Sequence, residues 1–307
     1  MKSALPFAAL ILIGAAWGGT QPLAKVAVSE GYRPFGILVW QNALVAVILA
    51  GITLLRGRSL RTDGVALRLY LLIALIGTVL PGLASYSAAV HLPSGVLSML
   101  LSSVPMLAFP VALALGIDVF GWRRLAGLSL GLAGVALLVM PETGAAGVVP
   151  AVWVAVALLA SACYAIEGNY VARFGTDGLD PLQLLAGASV VGMVLSLPLA
   201  IATGQFIDPR GACTQPDTAI VASSLLHAAA YSGYVGLVGL AGSVFAVQVS
   251  YFVTLFGLAW AMLFLGEGYS GWFWGALALM LAGLALVQPR PAASLVPVRP
   301  MGQDARR

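Results

Sequence analysis

The chain has 307 residues, 61% of them hydrophobic and 8% charged, with a formal net charge of +4. A mean hydropathy of +1.00, set against about 25% charged residues in ordinary soluble domains, excludes a soluble globular protein and predicts an integral membrane protein. The positive balance does not point to nucleic acid, because the basic residues are spread through short connections instead of gathered on one face.

In chain order, ten apolar runs are long enough to cross a hydrocarbon core about 30 Å thick: residues 5–28, 34–55, 69–90, 94–117, 122–140, 151–171, 181–202, 219–238, 243–265 and 272–288. Lys2 with the apolar run that follows resembles a secretory signal, yet spans continue downstream where a soluble mature domain would be expected. In lipid each backbone group must be satisfied within its own segment or a closed barrel. The runs show no period-two alternation, so all-α transmembrane architecture is predicted. Pro81, Pro105, Pro110 and Pro198 fall inside runs and are expected to kink them.

Charge alternates between connections. Twelve of the fifteen Lys and Arg residues (Lys2, Arg56, Arg58, Arg61, Arg68, Arg123, Arg124, Arg173, Arg290, Arg299, Arg306 and Arg307) fall on the side of the N-terminus, against Lys25, Arg33 and Arg210 on the other. The positive-inside rule then places both termini in the cytoplasm, which for this multi-pass chain means the inner (cytoplasmic) cell membrane. Residues 290–307 read as a disordered cytoplasmic tail. Cys163 and Cys213 form no disulfide framework. No metal-ligand spacing or phosphate-binding loop is present, so no metal and no cofactor are implied.

The chain also repeats. A shift of 147 sets Trp17 over Tyr164 and Pro34 over Pro181, and a shift of 149 sets the run Leu132 to Leu137 over Leu281 to Leu286. Residues 1–145 and 146–289 therefore read as two copies of five helices each. An odd number inverts the second copy, and inverted repeats supply two arrangements of similar energy, one open to each face.

The motifs carry a resemblance as well. Ala15-Ala16-Trp17-Gly18-Gly19 in the first run, Tyr86 ahead of Pro93-Ser94-Gly95, Pro105 in the fourth run, Leu265-Gly266-Glu267 closing the ninth and the Gly-rich last hairpin are similar to the EamA-type branch of the drug/metabolite transporter superfamily. The resemblance covers almost the whole chain. It implies export of amino acids, other metabolites or toxic organic cations through a cavity between the halves, often against a proton gradient or by exchange. Where the first half would carry Leu-Gly-Glu, this chain has Gly116-Ile117-Asp118, read as an inner-face structural contact.

Candidate residues follow from polar groups inside the runs. Glu167 is the one acidic residue placed within a run, where a charge costs about 2.5 kcal/mol or more, so it marks a site by default. Tyr164, Glu167 and Tyr170 share a helix face, and a carboxylate among aromatic rings suits an amine or cation. Alternatively Glu167, near the cytoplasmic end, snorkels or bonds a neighbour. His227, with Tyr231 and Tyr234 on one face, is read either as a proton relay or as a neutral histidine bonded between helices. Glu167 and His227 are the proton-coupling candidates.

Trp17 and Gln21, with Thr20, are the counterparts in the first run; Tyr86, Gln248 and Tyr251 complete the polar set. Met99 and Ser102, with Met106, offer a soft surface or else packing. Asn42 is expected in a helix contact and Lys25 to snorkel. His91 is read as a solvated residue at the outer mouth. Glycine pairs such as Gly14 with Gly18 and Gly127 with Gly131 point to internal packing, or to a homodimer face in place of a monomer.

The expected function is secondary export of amino acids or related amines by alternating access, with the small solute and the bilayer as partners and no nucleic acid. Organic-cation efflux is the neighbouring alternative. An intramembrane enzyme, which would need a facing nucleophile and base, and a channel are the alternatives from other classes.

Overall fold

The structure, a computed structural model, describes residues 4–140 and 149–287. The expected boundary between 145 and 146 and the expected tail at 290–307 lie outside the described residues. Those described are helical, with no strand among them.

The helices are α1 (Ala4–Ser29), α2 (Pro34–Leu55), α3 (Gly64–Ile73), a π-helical segment (Ala74–Val79) that runs on into α4 (Leu80–His91), α5 (Ser94–Leu101), α6 (Val104–Ala114), α7 (Trp122–Val139), α8 (Ala151–Phe174), α9 (Pro181–Ala202), α10 (Gln215–Ala241), α11 (Ser243–Ala246), α12 (Val249–Leu265) and α13 (Gly271–Val287). Eight continuous stretches are long and apolar enough to span a membrane, while α12 and α13 are shorter apolar helices of 17 residues each.

Local chemistry fixes the ends. Proline leads α2 and α9, where its missing N–H costs nothing. Asp180 accepts from the Leu182 N–H at the start of α9, and Gln183 returns the bond in a capping box. Asp63 accepts from the Val65 and Ala66 N–H groups at the start of α3. Gly266, at φ +65°, closes α12 in the left-handed conformation that glycine takes most readily.

Two expected runs are interrupted. The fourth breaks at Ser102 and Ser103, ahead of Pro105, and the ninth breaks at Val247 and Gln248. At the first break the Leu100 carbonyl accepts from the Ser103 and Ser161 hydroxyls, so α8 helps satisfy the exposed backbone. The third span is continuous but widened. In α geometry Pro81 would meet the Gly77 carbonyl four residues back, and its ring has no N–H to offer. The helix instead takes π spacing, with the Leu80 N–H reaching the Leu75 carbonyl.

The halves interlock. α1 packs against α10 and α12, and α8 packs against α4, α5 and α6; α2 lies on α9, and α7 on α13. Exchanging the five helical stretches of one half for those of the other maps this set of pairings onto itself.

Glycines permit the closest approaches. A Cβ on Gly18 would lie 2.7 Å from the Gly257 nitrogen, and one on Gly127 would lie 2.7 Å from the Gly283 carbonyl oxygen. Both faces are thus filled from within the chain.

The two ends carry different polar sets. At one, Arg58 and Arg56 pair with Asp180, and Arg61 pairs with Asp63 and Asp177. At the other, the Tyr32 hydroxyl donates to Asp217 at 2.7 Å. There Lys25, expected to snorkel, instead donates to the Ala89, Val90 and Leu92 carbonyls that end α4. Glu267, from the other half, accepts from the Ser94 and Gly95 N–H groups that begin α5, at 2.7 and 3.1 Å. A cation on exposed carbonyls and an anion on exposed N–H groups each match the helix dipole. His91, nearby, is exposed and stacked on Trp153 with ring centroids 3.9 Å apart.

Candidate functional site

A cavity of about 90 Å³ lies between the halves, bordered by α1, α2, the π segment and α4, α8, α9 and α10. Its wall mixes polar and apolar side chains, and among the described residues no Lys or Arg lines it. On α1, the Thr20 hydroxyl donates to the Trp17 carbonyl and accepts from the Gln21 amide. On α4, the buried Tyr86 hydroxyl donates to Gln41 Oε1 at 2.7 Å. Asn42 donates to the Leu38 carbonyl one turn back on its own helix and also borders the cavity. The Ser85 and Ser189 hydroxyls have no hydrogen-bond partner among the described residues.

Glu167, on α8, lies against Gly77 behind this wall and does not itself line the cavity. An ideal Cβ on Gly77 would lie 2.6 Å from the Glu167 carboxyl carbon and 2.7 Å from each of its oxygens. The carboxyl group therefore sits in the notch that the π segment leaves at Gly77. Tyr164 and Tyr231 lie within its electrostatic reach. Among the described residues nothing donates a hydrogen bond to Glu167 and no cation pairs with it. Burying such a group without a partner is costly.

Of the residues singled out from the sequence, Gln21, Tyr86, Tyr164 and His227 border this cavity. Trp17 does not; its ring packs on His227 and Tyr234, with centroids 6.3 and 5.5 Å away. Tyr231 points its hydroxyl toward the Pro181 carbonyl at 3.4 Å, and Tyr170 packs on Phe174. Met99 is 1% exposed within the largest apolar core, and the Ser102 hydroxyl is bonded to the Met99 carbonyl. Neither is among the residues that line the central cavity. Gln248 lies at the start of α12, and Tyr251 packs against the same apolar core.

Sequence reasoning missed Thr78, Ser85, Ser189 and Ser223, all on the cavity wall. Small hydroxyl residues inside apolar runs are common helix contacts, and only position separates these four. Asp118 pairs with Arg124, as its reading as a structural contact anticipated, and the Arg124 guanidinium lies 5.5 Å from the Phe109 ring centroid. That pair borders a second cavity of about 260 Å³, which shares Tyr164 with the first. Among the described residues no three His, Cys, Asp or Glu side chains converge as a metal site.

At about 90 Å³ the central cavity is smaller than the roughly 300–1,000 Å³ common for small-molecule sites.

Comparison with known proteins places this architecture. No curated protein matches the chain. A solved structure described as "Crystal structure of protein" shares 20% identity over 90% of this chain and 94% of its own, with a TM-score of 0.61. At that identity the likeness concerns the fold alone. The model of the EamA-like transporter family matches residues 5–140 and again 151–288. Matched twice over nearly its whole length, this multi-pass membrane protein belongs to the EamA-like transporter family, within the drug/metabolite transporter superfamily.

Proposed function

We propose that the protein is a secondary transporter that exports small amine-bearing metabolites, amino acids among them, by alternating access coupled to protons or to exchange. The observation that carries this reading is the Glu167 carboxyl group, without a bonded partner among the described residues, packed against Gly77 at the edge of a cavity between the two repeats. With no Lys or Arg in the lining, the cavity favours an ammonium group over a carboxylate as the recognised end. The same absence favours organic-cation efflux as the second reading.

All ten helical stretches cross the membrane in this account. At about 1.5 Å per residue, 17 residues span about 25 Å, and α11 lengthens the ninth crossing. Five crossings per half invert the second repeat, and the self-mapping helix pairings fit a two-fold axis in the membrane plane. Both termini lie in the cytoplasm, with the Arg-rich 56–61 connection beside them. Tyr164, Tyr86, Gln21 and His227 contact solute, and Glu167 carries the proton. His227, beside Trp17, serves as a second relay.

Counterflow of labelled amino acids and of quaternary amines in proteoliposomes tests this. Saturable exchange that depends on pH in the wild type and loses that dependence in Glu167→Gln is expected. Non-saturable flux, or a pH profile untouched by the substitution, overturns the coupling scheme.

A further inference from the structure

A further cavity, of about 470 Å³, opens at the Tyr32 end of the bundle, between the starts of α2 and α10 and the 203–214 connection that joins α9 to α10. Among the described residues it shares no lining side chain with the central cavity, and its volume falls within the roughly 300–1,000 Å³ of small-molecule sites. Its two carboxylates are not equivalent. The Arg210 guanidinium donates to both oxygens of Asp208, at 2.8 and 2.5 Å, so that charge is neutralised. Asp217 accepts from neutral donors only: the Tyr32 hydroxyl at 2.7 Å on one oxygen, and the Thr214 N–H and hydroxyl at 2.8 and 2.6 Å on the other. Among the described residues no Lys or Arg lines the cavity, which leaves the Asp217 charge without a counter-ion there.

Two aromatic rings on the same wall are held in place. The Trp40 indole N–H donates to the Ile207 carbonyl at 2.9 Å and its ring packs on Phe206, while the bond to Asp217 holds Tyr32. Ring faces attract an ammonium group, and a ring already pinned loses little freedom on binding. One turn or more deeper along α2 and α10, Leu44, Ile220 and Val221 add apolar wall. From this arrangement we infer that the cavity is a binding site for an amphipathic ammonium: its charged nitrogen pairs with Asp217 beside the Tyr32 and Trp40 rings, and its apolar body lies against Leu44 and Ile220. The site is separate from the central cavity and does not depend on the coupling role of Glu167. A free amine and an amine-bearing lipid headgroup both offer this chemistry.

Cys213, exposed and on the same wall, reports occupancy. The full-length protein is placed in phosphatidylglycerol vesicles, and labelling of Cys213 by N-ethylmaleimide is followed by peptide mass spectrometry. Phenethylamine is the probe, with phenethyl alcohol as its uncharged counterpart. At about ten times its half-protecting concentration the amine is expected to slow labelling about tenfold, and the alcohol leaves the rate unchanged. Asp217→Asn, which keeps an oxygen to accept from Tyr32 and Thr214, removes the protection; Asp208→Asn retains it. Should Asp217→Asn fail to fold, Trp40→Leu raises the half-protecting concentration about fivefold through loss of the ring face. Phosphatidylethanolamine added to the vesicles separates the two sources: protection without free amine assigns the site to a lipid headgroup, and protection by phenethylamine alone assigns it to a solute. Equal protection by amine and alcohol, protection that survives Asp217→Asn, or no protection by either ammonium source overturns the inference.

Discussion

α1 and α8 are the same helix used twice, yet they meet the cavity differently. A shift of 147 lays Thr20 on Glu167 as it lays Trp17 on Tyr164. Thr20 borders the cavity with its hydroxyl already bonded to its own helix. Glu167 arrives with nothing bonded to it among the described residues. Trp17 has turned to His227 and Tyr234, while its counterpart Tyr164 forms wall. The surrounding spans differ in step: the π segment before Pro81 has no counterpart in α10, which runs unbroken from Gln215 to Ala241. Duplication has kept the helix pairings while placing a carboxylate in α8 where α1 carries Thr20.

The largest expected effect breaks this comparison at its centre. Glu167→Gln is expected to slow pH-driven counterflow by about tenfold or more, whereas Thr20→Ala at the matching position stays within about twofold, as for removal of a group not used in the rate-limiting state. Equal effects at both positions would dissolve the distinction between the copies.

Next come the matching acids Asp118 and Glu267, separated by 149 residues. Asp118→Ala strips the buried Arg124 of that carboxylate and should lower stability by about 3 kcal/mol. Glu267→Ala orphans the Ser94 and Gly95 N–H groups at about 1–3 kcal/mol. Thermal unfolding of the detergent-purified protein ranks the two. Tyr86→Phe, which removes one bond to Gln41, is expected to cost about 1 kcal/mol in the same assay.

The smallest effect belongs to the loop end. The Arg61 hydrogen bond, helped by the Ala66 N–H, holds the Asp63 carboxyl down from 3.8 to about 2. A carboxyl lowered on folding adds stability above its unfolded pKa, and that contribution is lost as pH falls from about 4 toward 2. Thermal midpoints of wild type and Asp63→Asn should therefore differ at neutral pH and converge in that window.

How much of this could be read beforehand depended on the range of the interaction. The bounds of α2 and α9 matched to the residue, because Pro34 and Pro181 start them and the next polar connection stops them. The third span begins at Gly64, five residues ahead of the expected 69, since Asp63 caps a turn that hydropathy alone does not mark. The break at Ser102–Ser103 falls just ahead of Pro105, the proline expected to kink that run, whereas no proline marks the break at Val247–Gln248.

Glu167 was visible as a charge in a hydrophobic stretch. Gly77 was not, because a glycine is informative only once the group ninety residues away that fills its vacant side is known. Lys25 misled for a related reason: the carbonyls it serves lie more than sixty residues downstream.

The joint between α4 and α5 is held by parts of both halves: Lys25 from the first on its carbonyls, Glu267 from the second on its amides. Rocking the halves apart at this end would pull the second half's acid off two donors that have no substitute in hydrocarbon. Loss of Glu267 would therefore loosen a contact that ties the second half to the joint between the first half's third and fourth spans.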